Sequence, residues 1–317
     1  MACGLTGALA NAQSNDLVAA AQRGDLPAIN ALLKSGVDVN ARATASDDRT
    51  ALVVACQYDH LEVVQALLAA NADVNAGAGQ GMTALMQASS RGNLKMVQTL
   101  LAAKADVNAK NSIGVTALYR ASLDGSLAVV QALLAAKADP SPRLAALGGD
   151  TPLIVALSQR HWDVAQALVE AGADVNATTA SGVTALMLAA REDSPRNVAM
   201  VRALLAAHAD VNGTFYGGDT ALGVAASTGS AEVVRALLAA NSWVDVNIKQ
   251  NDGKTPLMKA AANGRADVVR LLLAARADVG AVDKGGNTAL SLALQNEHAE
   301  VAEILRTAAA SSPAQRR

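Results

Sequence analysis

The tripeptide Thr-Ala-Leu or Thr-Pro-Leu occurs eight times in this chain of 317 residues. Its threonines are Thr50, Thr83, Thr116, Thr151, Thr184, Thr220, Thr255 and Thr288, so successive gaps are 33, 33, 35, 33, 36, 35 and 33 residues. A period of that size marks a repeat architecture, in which one repeat cannot bury its own apolar face and a stack of neighbours can. Length alone would suggest about two globular domains. The periodicity overrides that count, because stacked repeats grow as one array. It also narrows function, since an array of this kind is better suited to holding a partner than to performing chemistry.

Composition agrees. Hydrophobic residues make up 51% of the chain and aromatic residues only 2%, so the core must be built from Ala, Leu and Val at close spacing. The formal net charge is −2 and Lys and Arg are scattered singly, which leaves no basic field to attract a phosphate backbone. No nucleic-acid partner is expected. The two cysteines, Cys3 and Cys56, are too few for a disulfide framework and form no C-x-x-C pair. Cys56 falls where other repeats carry Ala or Ser and reads as a small buried thiol. No run of 18 or more apolar residues exists, so no membrane span is expected. Residues 1–13 read either as an N-terminal extension or as the remnant of a signal peptide, because Ala8-Leu9-Ala10 and Ala10-Asn11-Ala12 fit a small-x-small cleavage pattern. A periplasmic or secreted location follows from the second reading, a cytoplasmic one from the first.

Residues 83 to 108 illustrate one repeat. The Thr83 hydroxyl is placed to cap the first turn of a helix. The next position is Ala, or Pro at Pro152 and Pro256, which suits the first helical residue. Leu85 and Ala88 share a face at helical spacing, and the helix stops near Gly92, a residue suited to the left-handed C-cap. A second helix presents Met96, Val97, Leu100 and Leu101 and ends at Ala-Asp-Val-Asn, residues 105 to 108. A glycine two residues before the Thr recurs at Gly81, Gly114, Gly149, Gly182, Gly218, Gly253 and Gly286, which predicts a turn with φ > 0.

The pattern T-A/P-L-x-x-A-A-x-x-G-x-x-x-V-V-x-x-L-L-x-x-x-A-D-V-N resembles the ankyrin repeat. It is plainest at 83–108 and 255–279, and an earlier copy from Asn15-Asp16-Leu17 to Asp38-Val39-Asn40 lacks the Thr and reads as an N-terminal cap. The resemblance implies an all-α fold: a solenoid of helix-turn-helix units with projecting β-hairpin-like loops. About nine repeats would form a single domain over residues 14–310, with 311–317 a disordered tail. The Ala-rich T-A-L-M style is similar to that of bacterial ankyrin proteins. The chain departs from the family's T-P-L-H, since the fourth position holds Val53, Met86, Tyr119, Ile154, Met187, Gly223, Met258 and Ser291. Loops Ala41–Arg49 and Pro142–Asp150 are each two residues long in excess, Glu192–Arg196 is an insertion, and Asn241–Val244 adds two more. Such extras are expected on the surface.

Residues that look chemical keep step with the repeat. His60, His161 and His298 each lie ten residues after their Thr, where the ankyrin pattern itself carries His, and His208 sits in a turn. The aspartates Asp38, Asp73, Asp106, Asp139, Asp174, Asp210, Asp245 and Asp278 recur once per repeat and read as turn residues. No H-E-x-x-H, Walker-type loop or G-x-S-x-G elbow occurs. No catalytic residue, metal site or cofactor is expected.

Ankyrin-like proteins bind other proteins through loop tips and the inner, concave helices. The resemblance therefore carries the partner-binding role to positions just before each Thr and seven and eight after it. The candidates are Arg49, Tyr58, Met82, Arg91, Ile113, Tyr119, Arg120, Arg191, Phe215, Tyr216 and Trp243. Of six aromatic residues only Trp162 takes a position the pattern assigns to the core, so Tyr58, Tyr119, Phe215 and Tyr216 read as hot-spot anchors. The expected protein is a monomeric adaptor or inhibitor of a protein partner. A secreted effector acting on a host protein, and an enzyme or small-ligand binder using the concave groove, are the alternatives.

Overall fold

Every one of the eight threonines starts a helix. Each has an extended backbone, and its Oγ1 accepts a hydrogen bond from the N–H three residues on, at 3.1–3.3 Å. That bond satisfies one of the first-turn donors that have no partner inside the helix. Pro152 and Pro256 follow their threonines at the position where a missing N–H costs nothing. The computed structural model describes residues 2–43, 48–144, 148–240 and 244–311, and among them every regular element is a helix.

The chain divides into two compact units, Met1–Ala173 and Asp174–Arg317. The first contains α1 (Ala2–Arg23), α2 (Leu26–Lys34), α3 (Ala51–Gln57), α4 (Leu61–Ala69), α5 (Ala84–Ser90), α6 (Leu94–Ala102), α7 (Ala117–Leu123), α8 (Leu127–Ala135), α9 (Pro152–Ser158) and α10 (Trp162–Glu170). Within it the first helices of successive repeats pack in the order α1, α3, α5, α7, α9, and the second helices in the order α2, α4, α6, α8, α10. The second unit contains α11 (Ala185–Ala189), α12 (Pro195–Ala206), α13 (Ala221–Thr228), α14 (Ala231–Ala239), α15 (Pro256–Ala262), α16 (Ala266–Ala274), α17 (Ala289–Gln295) and α18 (Ala299–Ser311). It stacks in the same way, α11 to α17 in one row and α12 to α18 in the other. Each unit is thus an ankyrin-type stack of helix-turn-helix pairs.

The core is periodic because the sequence is. Leu52, Leu85, Leu118, Leu153, Leu186, Leu222 and Leu257 are all buried, as are Val64, Val97, Val130, Val201, Val234 and Val269 on the second helices. The fourth position of the motif is buried too, with Val53, Met86, Ile154, Met187 and Met258 packed inside. Where the family places a polar ring, this chain fills volume with flexible or branched hydrocarbon. At Thr288 the same position supplies a cap instead: Ser291 Oγ accepts from Thr288 N–H at 2.8 Å while Thr288 Oγ1 accepts from Ser291 N–H at 3.1 Å.

The seven glycines two residues before the threonines all have φ between 73° and 87°, as their recurrence predicts. The loops they close are hairpin-like. Single antiparallel bridges pair Arg42 with Thr50, Ala78 with Met82, Leu144 with Asp150 and Thr178 with Thr184. The tips also join each other: Ser112 N–H donates to Gln80 O at 2.8 Å, Tyr216 N–H to Ser181 O at 3.0 Å, and Asn251 N–H to Gly217 O at 3.0 Å.

The aspartates and histidines that could pass for chemistry build the stack. Each Asp of the Ala-Asp-Val-Asn turns accepts through Oδ1 from the N–H two residues on, at 2.9–3.0 Å. The Asn then accepts from the Asp N–H of the next repeat: Asn40 from Asp73 at 2.7 Å, Asn75 from Asp106 at 2.8 Å, Asn108 from Asp139 at 2.7 Å. In the second unit Asn176, Asn212 and Asn247 do the same for Asp210, Asp245 and Asp278 at 2.7–2.9 Å. His60, His161 and His298 each donate from Nε2 to a carbonyl of the preceding repeat, at Gln22, Leu123 and Ala262, all at 3.1 Å. A carbonyl can only accept, so the Nε2–H tautomer is the one these bonds select. The imidazoles lie over Gly24, Gly125 and Gly264, where an added Cβ would come within 2.5–2.7 Å of Nδ1.

The insertion Glu192–Arg196 stays largely at the surface, as expected, but it also lengthens the second helix. Ser194 caps α12 and Asn197, buried behind it, donates through Nδ2 to Ala189 O at 2.8 Å. Asp193 faces the first turn of α14 and accepts from Glu232 and Val233 N–H at 3.4 Å.

Candidate partner-binding surface

The residue before one Thr meets the residue four after the next Thr at two places, Met82 with Arg120 and Asp219 with Lys259. Gln57, seven residues after Thr50, lines the same groove as Arg49, and Tyr58 and Arg91, eight after their threonines, close α3 and α5. In the first unit these positions make a groove of about 470 Å³ lined by Arg49, Val53, Gln57, Gln80, Met82 and Gln87. Arg49 leaves the loop one residue before its capping Thr and donates from Nη1 to Gln57 Oε1 at 3.1 Å. Met82 sits at the matching place one repeat later. Its Sδ accepts from Asn111 Nδ2 at 3.5 Å and from Arg120 Nη2 at 3.8 Å. Two guanidinium groups therefore flank one thioether along the stack.

Arg91, at the end of α5, is exposed. Tyr58, at the end of α3, is 41% exposed, and its hydroxyl accepts from Gln22 Nε2 at 3.2 Å. Ile113 is half-buried against a cluster of Val115, Leu144, Val155 and Tyr119. The structure corrects the expectation for Tyr119, which is 6% exposed and belongs to that core. Its position is the fourth of the motif, which the stack buries in its neighbours as well. Burial pushes the Tyr119 hydroxyl pKa up, the Asp150 charge adds to the rise, and Arg120 pulls the other way. Trp162, expected in the core, is only half-buried at the start of α10.

In the second unit Phe215 and Tyr216 share one loop tip. Phe215 is half-buried, its ring close to Gly217, whereas Tyr216 is 78% exposed. The tip is held rigidly, because Tyr216 N–H donates to Ser181 O and Tyr216 O accepts from Asn251 Nδ2 at 2.7 Å. Arg191 is exposed just after α11. Trp243 lies outside the described residues, as do the middles of the two lengthened loops at 44–47 and 145–147.

One feature of this face is not visible in the motif alone. Asp219 and Lys259 form an ion pair between adjacent repeats, with side chains only 9% and 17% exposed. Asp219 Oδ1 also accepts from Thr220 N–H at 3.0 Å. Gly223 makes room for it, since a Cβ there would overlap the Asp219 carboxylate. A glycine in the fourth position of the motif was the available signal. In the first unit, Asp124 and Asp150 have carboxyl pKa values raised by burial, the rise at Asp124 being opposed by Arg120 and then His161.

The comparison with known families agrees with this geometry. The family model for ankyrin repeats (3 copies) matches residues 17–111, 105–179, 172–249 and 240–315. The chain belongs to the ankyrin-repeat family. No curated protein matches it significantly. Ankyrin repeats are in general protein–protein interaction modules, and among the described residues no helix is long and apolar enough to cross a membrane.

Proposed function

We propose that this protein is a non-catalytic interaction scaffold, an adaptor or an inhibitor, that holds a protein partner on the first-helix face and the loop tips. The observation that carries this reading is the contrast within each repeat. The Thr, Leu, Val, Asp and Asn positions are committed to capping, core and stacking. The positions just before the Thr, and those seven and eight after it, vary from repeat to repeat and include Arg49, Met82, Tyr58, Arg91 and Arg191, which are half-buried or exposed. Tyr216, 78% exposed on a tip fixed by two hydrogen bonds, presents a large rigid side chain at little ordering cost. His60, His161 and His298 and the turn aspartates are engaged in the stack, which favours holding a partner over acid–base chemistry. The protein binds as a monomer, and its near-neutral charge gives nucleic acid no purchase.

The test is capture with the purified chain from the soluble and periplasmic fractions of the source organism, followed by calorimetry with the recovered protein. One stoichiometric partner is expected. Alanine at Tyr58, Phe215 and Tyr216 together should weaken it by more than about 2 kcal/mol. Loss of less than about 1 kcal/mol would remove these residues as anchors. Turnover of a metabolite panel with no protein partner recovered would reverse the reading in favour of an enzyme.

A further inference from the structure

We infer that Asn212 is a site of spontaneous, irreversible modification. Its side-chain amide is lost through attack by the backbone nitrogen of Gly213, and the product alters one seam of the second unit.

Three observations meet at this residue. Asn212 is a rung of the ladder between turns, with Oδ1 accepting from Asp245 N–H at 2.9 Å. It is also the rung followed by glycine: Asn40, Asn75, Asn108 and Asn176 precede Ala, and Asn247 precedes Ile. A nitrogen whose residue has no Cβ is open to a neighbouring carbonyl carbon, and its peptide plane turns with less hindrance. The backbone does not require that glycine. Gly213 lies outside the left-handed region, and a Cβ there would meet Asp210 O and Thr184 Cγ2 at 3.5 Å, an ordinary contact. Its N–H is loosely held, donating to Asp210 O at 3.5 Å, where Ala41 makes the corresponding bond to Asp38 O at 3.0 Å.

The ladder bond assists the chemistry. Hydroxide removes the Gly213 N–H proton, and the nitrogen adds to Asn212 Cγ. Negative charge then develops on Oδ1, the atom that Asp245 N–H already faces. Collapse breaks the Cγ–Nδ2 bond, and the amide nitrogen leaves as ammonia after taking a proton from water, which regenerates hydroxide. The cyclic imide left behind adds one water. Cleavage at Cγ gives an aspartate, and cleavage at the main-chain carbonyl gives an isoaspartate. No oxidant or cofactor is consumed. The chain's other Asn-Gly step, Asn263-Gly264, is arranged against the same reaction. Gly264 N–H donates to Ala261 O at 3.2 Å, Asn263 Nδ2 donates to Lys259 O at 2.8 Å, and His298 packs against Gly264.

Either product burdens the seam. An aspartate keeps an acceptor for Asp245 N–H but adds charge beside Asp210, whose Oδ1 accepts from Asn212 N–H at 3.0 Å. An isoaspartate lengthens the main chain by one methylene inside a tight turn, which displaces the rung.

The experiment incubates the full, folded chain at mildly alkaline pH and follows each asparagine by peptide mapping with fragment-ion mass spectrometry, isoaspartate being resolved by chromatography. Asn212 should lose its amide at least about tenfold faster than Asn176, the rung of the same unit that precedes Ala. Gly213→Ala should bring it down to the Asn176 rate, since the added Cβ fits the fold and hinders only the nucleophile. Exchange of the Asp245 amide should quicken in step with the isoaspartate fraction. Equal rates at Asn212 and Asn176 would overturn the inference, as would a rate unmoved by Gly213→Ala. Conversion in urea but not in the folded chain would overturn it too, because the turn would then protect Asn212. Asn263 reacting first would refute the choice of site, and unchanged Asp245 exchange in the converted chain would refute the effect on the seam. Should Gly213→Ala misfold, the comparison with Asn176 in the parent decides alone.

Discussion

Ser89→Ala should stabilise the first unit. Ser89 is 0% exposed near the end of α5, and its hydroxyl has no hydrogen-bond partner. A buried polar group left unsatisfied costs about 1–3 kcal/mol. Alanine is the better helix former by about 0.5 kcal/mol. Against this stands a void the size of one oxygen, worth about 0.3 kcal/mol at the usual cavity coefficient. A net gain of about 1–2 kcal/mol follows from these terms. Four other repeats carry Cys56, Ala190, Ala226 and Ala261 in the same register, all without a polar oxygen there, so the backbone already accommodates a small side chain. The control is Ser122→Ala one repeat later. Ser122 is equally buried, but its Oγ donates to Leu118 O at 2.8 Å, so its removal should be close to neutral. Urea unfolding followed by far-UV circular dichroism gives the global value. Native-state hydrogen exchange along α5 and α7 gives the local one, which matters in a stack that can open piecewise. The reasoning fails if the two substitutions have equal effects, or if Ser89→Ala destabilises.

Asn75→Ala deletes the acceptor for Asp106 N–H and should cost about 1 kcal/mol in urea unfolding, with exchange of the Asp106 amide accelerated. Lys259→Met leaves Asp219 buried without its counter-ion and should cost about 3 kcal/mol by thermal or urea denaturation; adding Asp219→Asn should recover much of it. Lys104 holds φ at 66°, a left-handed conformation that costs about 1–2 kcal/mol for a side-chain-bearing residue, so Lys104→Gly should gain about 0.5 kcal/mol after the entropy of glycine is subtracted. Asp252 and Asp283 have carboxyl pKa values lowered chiefly by backbone hydrogen bonds from Lys254 and Asn287. Their contribution is therefore present above the unfolded carboxylate pKa of about 4 and lost as pH falls through the depressed values. An acid titration of the Asp252→Asn, Asp283→Asn double variant should show a shallower loss of stability than the parent.

The repeat boundaries were legible because they are local. A threonine that caps and a glycine that tolerates φ > 0 act within three residues of themselves, so their spacing predicts the first helix of each repeat after the N-terminal one. The core Leu and Val positions follow from the same register. Tyr119 was misplaced because its aromatic character was weighed above its register, and the register won: the fourth position is enclosed by the next repeat whatever occupies it. The Asn ladder, the Arg120–Met82 contact and the Asp219–Lys259 pair were beyond reach for a different reason. Each joins residues some 31–40 positions apart, and nothing in either residue announces its partner.

The Asn bond between turns has one more consequence. Its donor is a backbone N–H, a group the following repeat owns whatever its side chain there. A repeat joined this way asks nothing of its successor's side chains. Gene duplication, deletion or exchange of one copy could then proceed without compensating change at the seams. Surface diversity would be free to accumulate by shuffling copies as well as by point substitution.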